Sequence, residues 1–193
     1  MLQELFPDAK NVGLLYCSAE ANSQYQVDTV KDALEKLGYT CTYYAFSDSN
    51  DLSSVATTAA TESDVIYVPT DNTVASNTEI INNICLPAKV PVITGEEGIC
   101  SGCGVATLSI SYYDLGVTTG KMAVKILKDG EDISTMPIEY DTKLHKRNIT
   151  KISAKSWASK FRTIMLQSAR LLKKLPNKSG QTVEKYSHQQ DFK

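Results

Sequence analysis

The chain has 193 residues, 42% of them hydrophobic, and a formal net charge of −2 at pH 7. That suits one domain, or one domain plus an extension, and with no apolar run of about 18 residues it excludes a membrane-spanning helix. The charge is unevenly placed: residues 1–140 hold 7 of the 20 Lys/Arg and 19 of the 22 Asp/Glu, a balance of −12, and residues 141–193 hold the other 13 and 3, a balance of +10. So sharp a reversal marks two segments with different jobs.

The chain begins with Leu2, Leu5 and Phe6 at helical spacing, stopped by Pro7. It lacks the basic and long apolar regions of a secretory signal, and an opening in mid-helix reads as a chain cut from something larger. Asn11–Ser18 is a buried strand that runs into the polar loop Ser18-Ala-Glu-Ala-Asn-Ser23. From Tyr25 to Leu37 the apolar residues recur at three and four positions, which predicts a helix, with Gly38 at its end. Tyr39–Ser47 alternates and is rich in Tyr and Thr, a strand. A helix follows to about Ser63, with Asn50 or Asp51 as its cap.

Val65–Thr70 is a third strand, Thr73–Leu86 a third helix, and Val90–Gly95 a fourth strand. Gly98–Gly104 reads as a glycine-rich loop, Val105–Ile110 as a fifth strand and Tyr112–Lys128 as a further helix, before a turn at Asp129-Gly130 and a short strand near Met136–Tyr140. Strand–helix alternation of this kind predicts an α/β fold with a Rossmann-like, doubly wound parallel sheet. After Asp141 the pattern changes. Trp157, Phe161, Ile164, Leu171 and Leu175 mark a basic helix over 152–175, and 177–193 is polar. The division is therefore a lobe over 1–140 and a basic helical or disordered extension over 141–193.

Strands buried on both faces read as continuous Val/Ile runs, and ligands sit where such strands end. That makes a rim of the residues just past the strand ends. Thr70, Asp71 and Asn72 follow the third strand; Asp71 suits a ligand amine and Asn72 a carboxylate, although either equally suits a helix cap. Ser18, Asn22 and Ser23 precede a helix, whose N-terminal amides favour an anion, again with capping as the alternative. Glu96 and Glu97 follow the fourth strand as ligand or hinge contacts, or as a solvated loop. Ser111 and Tyr112 head the last helix, where Tyr112 or Tyr113 could stack on a ligand or pack between lobes.

Catalysis has no visible constellation: no paired acid and nucleophile, no dinucleotide fingerprint or Walker loop, and no nucleophile elbow. The five cysteines are an odd, scattered set that makes no disulfide framework. Cys100-Ser-Gly-Cys103 leaves a small redox or metal protein as the rival reading, but zinc would need two more ligands, and redox pairs open a helix. A loop able to form an adventitious disulfide is the plainer account. No cofactor is expected. The basic tail has no base-reading fold, so nucleic acid is not expected as a partner; a membrane surface or the chain's own acidic body is.

Four ordered segments carry a family likeness: Asn11–Ser23, Tyr67-Val-Pro-Thr-Asp-Asn-Thr-Val-Ala-Ser76, Pro91-Val-Ile-Thr-Gly-Glu-Glu-Gly98 and Tyr112-Tyr-Asp-Leu-Gly-Val-Thr-Thr-Gly-Lys-Met-Ala123. Together they resemble the substrate-binding protein family of ABC transporters that includes tryptophan- and aromatic-amino-acid-type binding lipoproteins. The resemblance implies one lobe, the second, of a type I periplasmic-binding protein. It further implies a small amino-acid-like solute held between two lobes, delivery to an ABC permease, no enzymatic activity, and an extracytoplasmic, membrane-anchored location. Members often carry Asp where this chain has Ser111, and the likeness ends at about Asp141. Beyond it the tail reads as a fusion, a misread frame or an addition, and a truncated, non-functional gene product is a further alternative.

Overall fold

The computed structural model describes residues 1–139 and the backbone of 146–149. Its centre is a six-stranded sheet of β1 (Asn11–Cys17), β2 (Thr40–Phe46), β3 (Val65–Val68), β4 (Val92–Thr94), β5 (Ala106–Ser109) and β6 (Lys146–Ile149). Their order is β2-β1-β3-β4-β5-β6. The first five are parallel, and β6 runs antiparallel to β5. The helices are α1 (Leu2–Leu5), α2 (Ala21–Lys36), α3 (Ser49–Glu62), α4 (Asn72–Ala75), α5 (Thr78–Ala88), α6 (Glu97–Cys103) and α7 (Tyr112–Leu127).

Apolar residues on both sides of the strands create two cores. Leu15, Phe46, Ile66, Val68 and Val92 pack under α3, α5 and α6, against Leu52, Ala56, Ile81 and Ile99. Val12, Leu14, Tyr16, Val65 and Ile93 pack on the other face against Leu2, Leu5, Phe6, Val27 and Leu34 of α1 and α2. This alternation explains why β1 and β3 read as unbroken apolar runs. Gly38, at φ +90°, ends α2 as its sequence position predicts, because a residue without Cβ takes the left-handed conformation at little cost.

Several elements differ from the sequence reading. Helix α2 starts at Ala21, four residues before Tyr25. The cap of α3 is Asp48, whose side chain accepts from the Asn50 amide at 2.7 Å, in place of Asn50 or Asp51. The single helix expected over 73–86 is two, because the chain breaks at Ser76–Asn77, where the Asn77 side chain donates to the Thr73 carbonyl at 2.8 Å. The glycine-rich loop is helix α6, started by Glu96, whose carboxylate accepts from the Gly98 and Ile99 amides. Residues 136–139 form no strand. The sixth strand comes instead from 146–149, beyond the expected lobe boundary at 140. The expected helix over 152–175 and the tail after it lie outside the described residues.

Candidate solute-binding rim

Parallel sheets offer a crevice where the chain reverses its direction of winding, outside the carboxyl ends of the two strands concerned. Here those strands are β1 and β3: β1 is followed outward by β2, whereas β3 leads the other way to β4. The loops that leave them, 18–20 and 69–71, meet at this point and are cross-linked by hydrogen bonds.

Asp71 is 1% exposed. Its Oδ1 accepts from the Val74 amide at 2.9 Å, capping α4, and its Oδ2 accepts from the Cys17 amide at 2.8 Å, at the end of β1. The cap reading therefore describes Asp71, which spends one carboxylate oxygen on each of two backbone amides. Thr70 is tied to α2 by its backbone. Its carbonyl accepts from Asn22 Nδ2 at 2.9 Å and Ser23 Oγ at 3.3 Å, and its amide donates to Gln26 Oε1 at 3.0 Å. Ser23 is fully buried, and its hydroxyl ties α2 to this loop.

Glu20 completes the junction. Its Oε2 accepts from the Asn72 amide and from Asn72 Nδ2, and its Oε1 accepts from the Thr73 amide and Thr73 Oγ1, each at 2.9 Å. Burial by itself would raise the Glu20 carboxyl; the four donors outweigh it and hold the group below its ordinary 4.5. Glu20 stands at the N-cap position of α2 yet sends its side chain to α4, so α2 has no side-chain cap. Neither Glu20 nor Gln26 was among the sequence candidates. An acid beside a helix start is a visible signal, but its reach to a turn 52 residues away is not.

The remaining candidates occupy the same rim at the next strand ends. Glu96 is buried as the α6 cap, and Glu97 is exposed at the first position of that helix. Gly95 lets this loop approach the first: a Cβ there would lie 3.0 Å from the Thr70 nitrogen and 3.1 Å from the Pro69 carbonyl carbon. Ser111 caps α7, accepting from the Asp114 amide at 3.2 Å. Tyr112 is 55% exposed; partial burial, then the nearby Glu96 charge, raise its hydroxyl above the ordinary value. Ser18 is exposed and donates through Oγ to the Phe46 carbonyl at 3.1 Å.

Residues 18–23 and 70–73 are thus brought directly together. Glu96, Glu97, Ser111 and Tyr112 line the same edge, without a hydrogen bond to that pair among those described. Cys100 and Cys103 are buried thiols within α6, not in a loop. Burial pushes Cys103 up and Cys85 up to about 12, the opposite of an activated thiolate. Among the described residues no three His, Cys, Asp or Glu side chains gather to hold a metal ion, and no helix is long and apolar enough to cross a membrane.

Known proteins are similar to this chain in sequence and in fold. The family described as ABC transporter substrate binding protein matches residues 1–179, which carries the likeness past Asp141, where the sequence reading stopped. A tyrosine-binding protein of Clostridioides difficile (strain R20291) is 32% identical over 138 residues, 72% of this chain and 40% of that protein. A solved ABC-domain structure from Streptococcus pneumoniae in complex with L-Trp is 33% identical with a TM-score of 0.73, covering 80% of this chain and 52% of its own. The ligand-free, open structure of a substrate binding protein with adhesive properties from Clostridium difficile is 35% identical with a TM-score of 0.65, at the same coverages. The chain spans about half the length of the relatives it matches.

Proposed function

The chain belongs to the ABC transporter substrate binding protein family, and on that footing we propose that it is one lobe of a solute-binding protein that captures a small amino-acid-like solute for an ABC permease. The family is one of extracytoplasmic binding proteins and not of enzymes; for this chain, non-catalytic binding and delivery outside the cytoplasm belong to the proposal. The observation that carries the reading is the junction of the β1–α2 and β3–α4 loops at the switch point, held by Asp71, Glu20, Asn22 and Gln26. A rim built this way is fixed before the solute arrives, which lowers the ordering cost of binding.

Within the proposal the lobe is residues 1–140, amended by the strand it takes from 146–149, and the extension is the rest of 141–193. Ser18, Asn22, Thr70, Asn72, Glu97 and Tyr112 face the solute. Asp71, Ser23, Glu96 and Ser111 hold the loops that present them. Ser18 and the first turn of α2, which no side chain caps, suit a carboxylate. Capture works by population shift: a solute that touches two lobes favours their closed arrangement by its differential contact.

The test is an NMR titration of the full 193-residue chain with L-tryptophan and L-tyrosine. Shifts concentrated at 18–23 and 70–73 support the reading. Saturating shifts centred on Cys100 and Cys103, or none at all with either amino acid, overturn it.

A further inference from the structure

Strand β2 is an edge of the sheet: among the described residues no strand lies beyond it. Thr40 and Phe46 turn their backbone groups to β1, the Thr40 amide donating to the Lys10 carbonyl and the Phe46 carbonyl accepting from the Ser18 amide, each at 2.8 Å. The pairing with β1 runs without a bulge from Thr40 to Phe46. Successive residues of a strand turn their amides and carbonyls to opposite sides, so Cys41, Tyr43 and Ala45 send theirs outward. Tyr43 and Ala45 are exposed. The strand contains no charged residue and no Pro. It therefore lacks the charges, prolines and bulges that blunt an open edge.

This edge is complementary to itself. In an antiparallel pair, residues directly opposite exchange both backbone hydrogen bonds at alternate positions. A two-fold axis at Tyr43 sets Tyr43 opposite its own copy and Cys41 opposite Ala45 of the second copy, and every outward amide and carbonyl of the three residues finds a partner. The helix beside the edge fits the same axis. Helix α2 packs across β1 and β2 together, about half a strand spacing of about 4.8 Å inside β2, and the axis lies as far outside it. The two copies of α2 then run about 10 Å apart, near the spacing of about 8–10 Å between packed helices. Helix α2 meets Tyr43 through Asp28, whose Oδ1 accepts from the Tyr43 hydroxyl at 2.6 Å, and through Lys31, whose Nζ lies 5.8 Å from the ring centre. Gln24, Asp28, Lys31 and Glu35 form one row at helical spacing. Antiparallel copies centred between 28 and 31 set Asp28 against Lys31 and Gln24 against Glu35, so no acid of the row meets another. On the other face, where α3 packs, residues 52–61 carry no charge.

We propose that the β2 edge is where two copies of this chain join, antiparallel about Tyr43, into one continuous sheet with their α2 helices side by side. The rim loops 18–23, 69–73, 95–98 and 110–113 share no residue with this edge, so the dimer and the solute site stand or fall separately.

The experiment is sedimentation velocity of the full chain from about 10 μM to about 1 mM, with hydrogen exchange measured at both ends of that range. The mass is expected to rise from 21.2 kDa toward twice that value. Over the same range the outward amides of Cys41, Tyr43 and Ala45 are expected to slow on the order of tenfold or more, while those of Thr42, Tyr44 and Phe46, bonded to β1, stay protected throughout. Ala45→Lys sets a charge on the open edge and is expected to remain monomeric, with the Thr42, Tyr44 and Phe46 amides reporting that it is folded. Val124→Lys with Leu127→Lys, on the exposed face of α7, is expected to leave the dimer intact. A chain still monomeric at about 1 mM overturns the proposal, as does a dimer that survives Ala45→Lys. Protection of the outward amides that is independent of concentration also overturns it, and assigns the edge to another segment of the same chain.

Discussion

Asp71 and Cys17 are 54 residues apart in the chain and joined by one buried hydrogen bond, the Cys17 amide donating to Asp71 Oδ2 at 2.8 Å. The same carboxylate caps α4 through Val74, so one side chain fixes the end of β1 against the start of a helix after β3. Asp71→Ala leaves two buried amides without their acceptor. Each such loss costs about 1–3 kcal/mol, so urea denaturation is expected to show a loss of about 2–6 kcal/mol. Glu97→Ala, at an exposed position, is the control and is expected to stay within about 0.5 kcal/mol. Equal effects at the two positions would contradict the linking role of Asp71.

How much of this was legible in the sequence follows from where each signal lives. Strands β1, β3 and β4 were legible because burial on both faces leaves short apolar runs such as Val65–Val68, and β2, largely exposed, because its Tyr and Thr alternate. The meeting of 18–23 with 70–72 followed from strand ends alone. Helix α6 was hidden because Gly98, Gly102 and Gly104 resemble a loop, while the feature that starts the helix, Glu96 folding back onto two amides, is a matter of geometry. Strand β6, Lys146-Arg-Asn-Ile149, is a polar edge strand whose identity depends on the β5 backbone beside it. Glu20 escaped notice because its four donors come from distant residues.

The thiols offer a direct comparison of the binding and redox readings. Burial raises the thiols of Cys41, Cys85 and Cys103 alike, but Cys41 is only half-buried and so is the one a reagent can reach. A thiol-directed reagent at pH 8 is expected to label Cys41 first, with Cys85, Cys100 and Cys103 reacting only on local opening. Cys100→Ser/Cys103→Ser is expected to lose about 1–3 kcal/mol, from hydroxyls placed in the core, with the L-tryptophan titration unchanged. Rapid labelling of Cys100 or Cys103 in the folded chain would restore the redox reading.

Affinity is set by how much of the site one lobe supplies. The chain covers 40% of the tyrosine-binding relative and 52% of the L-Trp complex. On the proposed function, a solute held between two lobes would make only one lobe's share of its contacts with these 193 residues alone. The 193-residue chain is therefore expected to bind free amino acids at about millimolar Kd or weaker, near −4 kcal/mol. Calorimetry that returns a micromolar Kd for any amino acid would show that one lobe suffices.

Acid is expected to loosen the fold through two carboxylates. Asp64 lies below its ordinary 3.8 chiefly because the Asn11 and Lys10 amides donate to it. Glu20 lies below 4.5 because its donors outweigh burial. A carboxyl with a depressed folded pKa contributes stability that is fully present above its unfolded pKa and is lost as pH falls through the folded value. Tm is thus expected to hold above about pH 5 and to decline below it. Glu20→Gln and Asp64→Asn each start lower at neutral pH and decline less steeply. Parallel Tm curves for wild type and both variants would remove these two groups as the cause.

Helices α2 and α7 are equally long, 16 residues each, but differ in what holds them. Helix α2 buries Ser23, Val27 and Leu34 against the sheet; α7 buries none of its residues. Tyr113, Val124 and Leu127 on α7 are 80, 50 and 86% exposed. A helix of this length draws little stability from its own hydrogen bonds in water and depends on a docked apolar face. Gly116 and Gly120 leave open space along it, which would let a neighbour approach closely. In the isolated chain the α7 amides are expected to exchange at least about 100-fold faster than those of α2. Adding the other lobe of a relative in trans is expected to slow α7 and leave α2 unchanged, and Val124→Lys with Leu127→Lys to abolish that protection. Exchange from α7 as slow as from α2, in the chain alone, would mean that its apolar face is already covered by the chain itself.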